Sequence, residues 1–326
     1  MDAGRTGRSV YPEIGMRIVS LLPSATEIVF ALGLGDELVG RTHECDYPSA
    51  ALSVPVVTAD TATTGRRGSR EIHLRVSDAV HAGSSIYRLD RAALADARPD
   101  LILTQELCAV CAVSYREVAE EVRALRSSAT VVSLEPISIE GILNSISTVG
   151  AMAEAEDEAV GLIELLRERL AEIENRVLER RLEGVAPRRV VCLEWLDPPF
   201  AAGHWVPEQV RRASGWELLG RAGERAAETT WQAVRELDPE MLLLMPCGFD
   251  AARTAAEWKR VAKPAWLAEL RAVNDDAVFA LDGAAYFSRP GPRAIEGVAL
   301  LAELFDPLGF SAELPSAAWR PVPAAG

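Results

Sequence analysis

The stretch RIVSLLPSATEIVFALGLG (residues 17–35) contains the pattern of a strand, a tight turn and a helix. Its first six residues are a short β-like run, and the apolar residues after the proline are typical of a helix. Ser24 and Glu27 have the spacing of a capping box, in which each side chain accepts a free backbone N–H. Gly33 is expected to end the helix. The stretch is therefore predicted to open an α/β unit.

Parts of this pattern recur later in the chain. A helix, a proline followed by an acid, and a buried strand occur in residues 91–103 and again in 231–244, with a constant offset of 140. Residues 17–19 (RIV) are echoed by residues 189–191 (RVV) in the same order. A helix, a proline and a strand are common in any α/β protein, but the kept order favours two lobes that are built alike.

A long helix is predicted between the lobes, from about residue 154 to residue 183. At ~1.5 Å per residue it would be about 45 Å long, enough to cross a domain. A coiled-coil partner is one interpretation, but a stiff connector that lies across both lobes needs no partner. Its apolar stripe has steps of three and four residues and consists of Ile163, Leu166, Leu170, Ile173 and Val177.

These patterns predict an α/β fold of two similar lobes, joined by one long backbone helix, with a ligand cleft between them. The predicted parts are a loosely held extension (residues 1–15), an N-terminal lobe (16–137), a connecting helical segment (138–186), a C-terminal lobe (187–310) and a loosely held tail (311–326).

Composition excludes several classes of protein. The chain has 326 residues and a formal net charge of −14, which disfavours binding to nucleic acid. It has no run of about 18 apolar residues, so no membrane-spanning helix is predicted. Residues 1–15 do not resemble a secretory signal, and the five cysteines fit a reducing compartment. We therefore expect a cytoplasmic protein, unless an export signal has been removed.

Four clusters of polar and aromatic residues follow predicted strands or lie in loops, where α/β folds place their ligands. They are residues 42–48 (THECDYP), 105–111 (QELCAVC), 194–205 (EWLDPPFAAGHW) and 282–293 (DGAAYFSRPGPR).

The pair Cys108 and Cys111 has three interpretations. The first is two small residues in a turn, and the second is a pair of thiols that face the cleft. The third is a metal site, for which the chain would have to add ligands such as Cys45, His43 or His204.

Aromatic residues are concentrated in the last two clusters. Such rings in loops rich in glycine and proline indicate a flat apolar surface for a ring-shaped ligand. They are Trp195, Phe200, Trp205, Tyr286 and Phe287.

Three polar residues accompany the rings. His204 could coordinate a metal held by the ligand, or it could cap the helix that follows it. Arg289 and Arg293 suit a carboxylate or phosphate on the ligand, or they could form salt bridges with Asp282 or Glu296.

Five motifs in order resemble the periplasmic binding proteins that serve importers of cobalamin, haem and siderophores, and the cobalamin-binding proteins resemble the chain best. They are RIVSLLPSATEIVFALGLGDELVG (17–40), CDYP (45–48), RPDLILTQ (98–105), DPPFAAG (197–203) and YFSRPGPR (286–293). The resemblance spans residues 17–305 and implies two α/β lobes joined by a long helix, with the ligand gripped between them by aromatic side chains.

The resemblance also implies roles for single residues. It places Tyr286 and Phe287 on the C-terminal wall of the cleft, with Phe200 and Trp205 nearby. Gln105 and the stretch before Asp46, which contains Glu44 and Cys45, are expected on the N-terminal wall, and Cys108 follows Gln105.

Family members present a carboxylate on each lobe to an importer permease, and Glu117 could be the first of these. The second-lobe helix has a basic pair, Arg211 and Arg212, near the expected acid.

The leading hypothesis is a binding protein, not an enzyme, that holds a bulky metal chelate without covalent bonds; cobalamin or a related corrinoid is the best single guess. No cofactor is required. The expected partners are this small chelate and possibly an ABC permease, and the protein is expected to be a monomer.

One alternative is a carrier of a metal ion or small cluster, which would use Cys45, Cys108, Cys111, His43 and Glu44. The other is a cytoplasmic enzyme on a recruited binding-protein scaffold.

Overall fold

The structure, a computed structural model, describes residues 15–60, 67–81, 87–106, 115–125, 127–312 and 314–323. The α-helices are α1 (Pro23–Ala31), α2 (Ser69–His81), α3 (Arg91–Ala97), α4 (Tyr115–Ala124), α5 (Ile139–Met152), α6 (Glu156–Leu182), α7 (Val206–Arg212), α8 (Trp231–Leu237), α9 (Ala251–Arg260), α10 (Arg271–Asn274), α11 (Gly283–Tyr286) and α12 (Ala294–Phe305). In these residues no helix combines the length and the apolar composition that a membrane crossing requires.

The strands form one sheet in each lobe and a separate two-stranded pair. They are β1 (Ile18–Ser20), β2 (Leu38–Arg41), β3 (Thr58–Asp60), β4 (Tyr87–Leu89), β5 (Leu101–Thr104), β6 (Thr130–Ser133), β7 (Arg188–Leu196), β8 (Pro199–Ala201), β9 (Gly215–Glu217), β10 (Ala227–Glu228), β11 (Met241–Leu244), β12 (Val278–Leu281) and β13 (Trp319–Pro321). The first sheet is parallel in the order β2-β1-β5-β6. The second runs β10-β8-β7-β11-β12-β13, with β9 also paired to β7. The predicted two-lobed α/β fold is confirmed.

Each sheet is covered on both faces because its central strands are apolar on both sides. In β7, Val190 and Cys192 belong to one core cluster, whereas Val191 and Leu193 belong to the cluster on the opposite face. This alternation is the two-residue period of a strand, and strands buried on both faces read as continuous apolar runs.

The sequence echo corresponds to equivalent contacts in the two lobes. The Arg17 N–H donates to the Asp100 carboxylate at 2.9 Å, and the Arg189 N–H donates to the Glu240 carboxylate at 2.9 Å. In both lobes the arginine side chain also donates to the carbonyl three residues before that acid. The two lobes therefore repeat one arrangement of first strand, helix end and second strand.

Helix α6 lies within the span predicted for the long helix and joins the lobes at the back. Its Ala159 packs in the core of the first lobe, and its Leu170 and Ile173 pack in the core of the second. Leu166, between them, packs against both. The helix also contacts α5 and α12, which makes it a stiff support for the relative position of the lobes.

Two local expectations are wrong. Helix α1 begins at Pro23, whose fixed φ suits the first helical position, so Ser24 lies inside the first turn and no side chain caps the helix. The predicted tail is not loose throughout, because residues 319–321 pair with β12 as an antiparallel strand. Residues 1–14 of the predicted extension lie outside the described part.

Candidate functional site

The carboxyl ends of the central strands of both sheets lead into a cleft between the lobes, as expected for α/β sheets. The larger cavity there has a volume of about 220 Å³ and contains residues of both lobes. A second cavity of about 60 Å³ shares Gln105, Cys247, Ser288 and Pro290 with the first. The cleft is therefore a pocket with a smaller side chamber.

A buried carboxylate at the start of the first lobe ties the two lobes together. Glu27 is 3% exposed, and its two oxygens accept hydrogen bonds from Arg293 at 2.9 and 2.5 Å. Arg289 lies 3.5 Å from the same carboxylate. Both arginines come from the second lobe, so one acid of α1 holds two cations across the cleft.

A second layer of contacts strengthens this junction. Arg289 donates to the Asp46 carboxylate at 2.6 Å and to the Glu44 carbonyl at 3.2 Å. Arg293 lies over the Tyr47 ring at 3.9 Å. Both arginines therefore bind groups of the other lobe. The sequence had predicted either an anion of the ligand or an acid of their own lobe as their partner.

The intralobe acids proposed as partners for these arginines are used elsewhere. The carboxylate of Asp282 accepts the Ala285 N–H at 2.8 Å and caps α11. Glu296 accepts two hydrogen bonds from Arg169 of α6, both at 3.1 Å. Because each acid is engaged by these other groups, neither forms the predicted salt bridge with Arg289 or Arg293.

Helix α2 of the first lobe makes another bridge to the second. The backbone N–H and the hydroxyl of Ser69 both donate to Glu257, at 2.6 and 2.7 Å. One turn later, the His73 ring packs against Phe200 with centroids 5.8 Å apart. Phe200 therefore contacts the other lobe and lines neither cavity.

The predicted aromatic wall is mostly core. Tyr286 is 7% exposed, packs in the core of the second lobe and lines neither cavity. Trp205 and Phe287 belong to the same core but reach the edge of the smaller cavity. The five rings therefore do not form one broad wall: Trp195 lines the larger cavity, Trp205 and Phe287 line the smaller one, and Tyr286 and Phe200 line neither.

Other residues line the larger cavity together with Trp195. Trp195 and Phe249 pack edge to face with centroids 5.6 Å apart, and Arg253 lies over the Phe249 ring at 3.6 Å. Trp195 is one of the rings that the sequence predicted for the ligand surface, whereas Phe249 and Arg253 were missed. The offset of 140 was the available signal for Phe249, because it aligns residues 247–251 with the cluster at residues 107–111 in the sequence.

Four residues that line the cavities carry a buried polar atom without a hydrogen-bond partner among the described residues. Such groups are costly to leave unpaired in a folded protein, so they mark positions for a ligand or water. The atoms are Gln105 Oε1, Trp195 Nε1, His204 Nε2 and Trp205 Nε1.

His204 is held by its backbone. Its φ is +53°, its N–H donates to the Glu224 carbonyl at 2.6 Å, and its carbonyl accepts the Gly223 N–H at 2.8 Å. It does not cap α7, which has no side-chain cap. Burial, and secondarily the charge of Arg225, lower the pKa of the imidazole below its usual 6.5. The ring is therefore neutral at pH 7 and can offer a nitrogen lone pair.

This lowered pKa predicts a pH effect on stability. Unfolding restores the ordinary pKa, so below about pH 6.5 the unfolded chain takes up a proton before the folded chain does. The neutral His204 ring therefore contributes to the free energy of unfolding above pH 6.5. This contribution is lost as the pH falls from 6.5 to the lower pKa of His204 in the folded protein. Urea unfolding between pH 7.5 and 5 should show a smaller loss of stability in His204→Gln than in the wild type. The control His73→Gln should lose stability with pH as the wild type does. The prediction is contradicted if His204→Gln also shows the wild-type pH profile.

Among the described residues, the predicted metal ligands do not form a metal site. Cys45 is 0% exposed and its sulfur accepts a hydrogen bond from the Thr26 hydroxyl at 3.0 Å. Burial raises the pKa of this thiol, so it stays protonated. Cys45 lines neither cavity of the cleft. Cys108 and Cys111 lie outside the described residues. Among the described residues no three His, Cys, Asp or Glu side chains are placed to hold a metal ion.

Two further predicted positions have clear locations in the fold. Glu44 lines the larger cavity together with Gln105, as expected for the N-terminal wall. Glu117 lies in α4, but its side chain is outside the described residues. On the second lobe, Glu208 accepts the Ile139 N–H at 2.9 Å and also binds Arg212, so this acid is used within the protein.

Two α/β lobes, a helix across the back and a cleft with unpaired polar groups define a two-lobed binding protein. A family model described as periplasmic binding protein matches residues 18–285. The chain belongs to that family. It is therefore a substrate-binding protein of the ABC-transporter type and not an enzyme, as predicted, and this type of protein implies a permease partner.

Individual relatives agree with this assignment. The chain is 25% identical over 301 residues to the uncharacterized ABC transporter substrate-binding lipoprotein YvrC of Bacillus subtilis, covering 90% of the chain and 81% of the relative. It is 24% identical over 287 residues to the vitamin B12-binding protein of Vibrio cholerae, covering 86% of each. Among solved structures, a periplasmic heme binding protein from Pseudomonas aeruginosa matches with a TM-score of 0.71 and 18% identity, covering 94% of the chain and 98% of that structure.

The predicted cytoplasmic location is wrong. The family is one of periplasmic binding proteins, and a matched relative is a lipoprotein. These findings point to a location outside the cytoplasm. The first residues of the chain and the odd number of cysteines were weak guides to location.

Proposed function

We propose that the protein captures a metal chelate in the cleft between its lobes and delivers it to an ABC importer, with a corrinoid such as cobalamin as the first candidate. The main support is the group of unpaired buried polar atoms on residues that line the two cavities. Relatives named for vitamin B12 and for haem support the same class of ligand, which is carried as cargo and needs no resident cofactor.

The size of the cleft constrains how such a ligand binds. Pockets for drug-sized ligands measure ~300–1,000 Å³, and the larger cavity measures about 220 Å³. A macrocycle therefore requires a wider cleft than this one. Helix α6 holds the lobes at the back, so the widening is expected at the front, where Glu27 and Asp46 meet the two arginines.

His204 gives the smaller cavity a defined role. Its neutral imidazole lies at the edge of this chamber with Nε2 unpaired. An imidazole nitrogen is a common ligand for iron, cobalt and related metals. We propose that a chelate in the larger cavity presents its metal toward this side chamber.

Titration with aquocobalamin and with haemin tests the proposal. We expect binding by calorimetry and a change in the visible spectrum for at least one of the two probes. In His204→Ala the spectral change should shrink while binding persists, whereas the control His43→Ala should resemble the wild type. The absence of binding for both probes at high micromolar concentration would contradict the proposed ligand class.

A carrier of bare metal ions is less well supported. Of its proposed ligands, Cys45 is fully buried in the first lobe and lines neither cavity. Membership of a family of periplasmic binding proteins favours simple binding over the recruited-enzyme alternative.

A further inference from the structure

One cation of the cleft is not used to hold the lobes together. Arg253 lies in the first turn of α9 and lines the larger cavity. Its guanidinium lies 3.6 Å from the centre of the Phe249 ring. The ring supports one face of the planar group, which keeps the edge with its N–H donors available to a partner.

The charge of Arg253 has no direct counter-ion. No carboxylate of the described residues lies within ion-pair distance of it, and its backbone N–H, not its side chain, binds Asp250. Burial lowers the pKa of Arg253, and the more distant acids Glu257, Asp250 and Glu44 do not cancel this effect. Arg289 and Arg293, in contrast, are paired with acids of the first lobe.

The aromatic neighbours give this cation a direction. Trp195, Phe249 and Arg253 form a continuous row, from ring to ring to guanidinium, along the second-lobe wall. A flat ligand that packs against this row would bring its periphery to the guanidinium. A partly desolvated arginine favours an oxyanion there, because it offers two parallel N–H donors to a carboxylate or a phosphate.

We propose that Arg253, supported by Phe249, is a subsite for an oxyanion on the edge of the ligand, so that the protein selects chelates that carry a peripheral carboxylate or phosphate. This inference rests on the proposed function, since it assumes a ligand in the larger cavity. It assigns the recognition of ligand charge to Arg253, whereas Arg289 and Arg293 are paired with Glu27 and Asp46 of the first lobe.

Pairs of probes that differ only at the periphery test the subsite. Haemin carries two carboxylates that its dimethyl ester lacks. Cobinamide phosphate carries a phosphate ester that cobinamide lacks. Each probe is titrated into the wild type, into Arg253→Met, and into Lys259→Met, which removes the same charge from an exposed position of the same helix.

For the probe pair that the protein accepts, the wild type should prefer the oxyanion-bearing member, and Arg253→Met should weaken that member by at least about tenfold. The member without the oxyanion should bind the wild type and Arg253→Met alike, and Lys259→Met should bind all probes like the wild type. A response of the haemin pair identifies a carboxylate as the recognised group, and a response of the cobinamide pair identifies a phosphate.

Two results would overturn the subsite. One is an equal loss of both members of a pair in Arg253→Met, which would indicate a change of shape and not of charge recognition. The other is unchanged binding of the oxyanion-bearing member. The proposed function fails separately, if the wild type binds none of the four probes.

Discussion

Replacing Glu27 by alanine is expected to lower the free energy of unfolding by about 3–5 kcal/mol, the cost of removing one partner from a buried ion pair. Glu27 is almost fully buried, and the side chains of Arg289 and Arg293 are only 12% and 19% exposed. Its loss leaves Arg293 without a carboxylate and Arg289 with Asp46 alone. Urea unfolding at pH 7 measures the difference.

Two control variants separate charge from packing. Glu27→Gln keeps the shape and one acceptor oxygen but not the charge, so its loss should be smaller than that of Glu27→Ala. Glu140→Ala breaks the exposed Glu140–Arg167 pair, and such surface pairs contribute about 0–1 kcal/mol. If Glu27→Ala loses no more stability than Glu140→Ala, the carboxylate does not hold the lobes.

Replacing Gly283 by alanine is expected to destabilise the second lobe by about 1–3 kcal/mol through overpacking. A β-carbon at Gly283 would lie 2.5 Å from the Pro246 carbonyl oxygen and 2.7 Å from that of Met245. These are backbone atoms, so the strand end must move. Because Cys247 and Ser288 line both cavities on either side of this contact, ligand affinity should fall as well.

The control is Gly161→Ala in α6, where a β-carbon would meet nothing within 4 Å. Alanine in place of glycine inside a helix stabilises by roughly 0.5–1 kcal/mol, so this variant should be at least as stable as the wild type. Urea unfolding and titration with the accepted probe measure both variants. Wild-type stability and affinity in Gly283→Ala would show that the close approach does not shape the cleft.

The sequence predicted those features that depend on local patterns. Residues 17–35 form β1 and α1, and the offset of 140 corresponds to the same hydrogen bonds at Asp100 and Glu240. Periodicity indicated the helix between the lobes. Each of these features is set by apolar spacing or by turn residues within a short stretch, which is what a single sequence records.

The cleft could not be predicted in the same way, because its contacts join residues far apart in the chain. Glu27 has the spacing of a capping residue, yet its partners lie 262 and 266 positions away. Rings after a strand point either into the core or into the cleft, and the sequence does not distinguish Tyr286 from Phe249. Which arginines of the cleft are paired with an acid depends on how the two lobes pack against each other, and a local sequence pattern does not record this.

The position of the metal in a crystal grown with aquocobalamin or haemin is the most decisive observation. An anomalous difference map should show a single cobalt or iron peak between Gln105 of the first lobe and Trp195 of the second, on the side of His204. The lobes should be farther apart at Glu27 than in the ligand-free protein. A metal peak on the outer surface of either lobe, with the cleft unchanged, would contradict capture between the lobes.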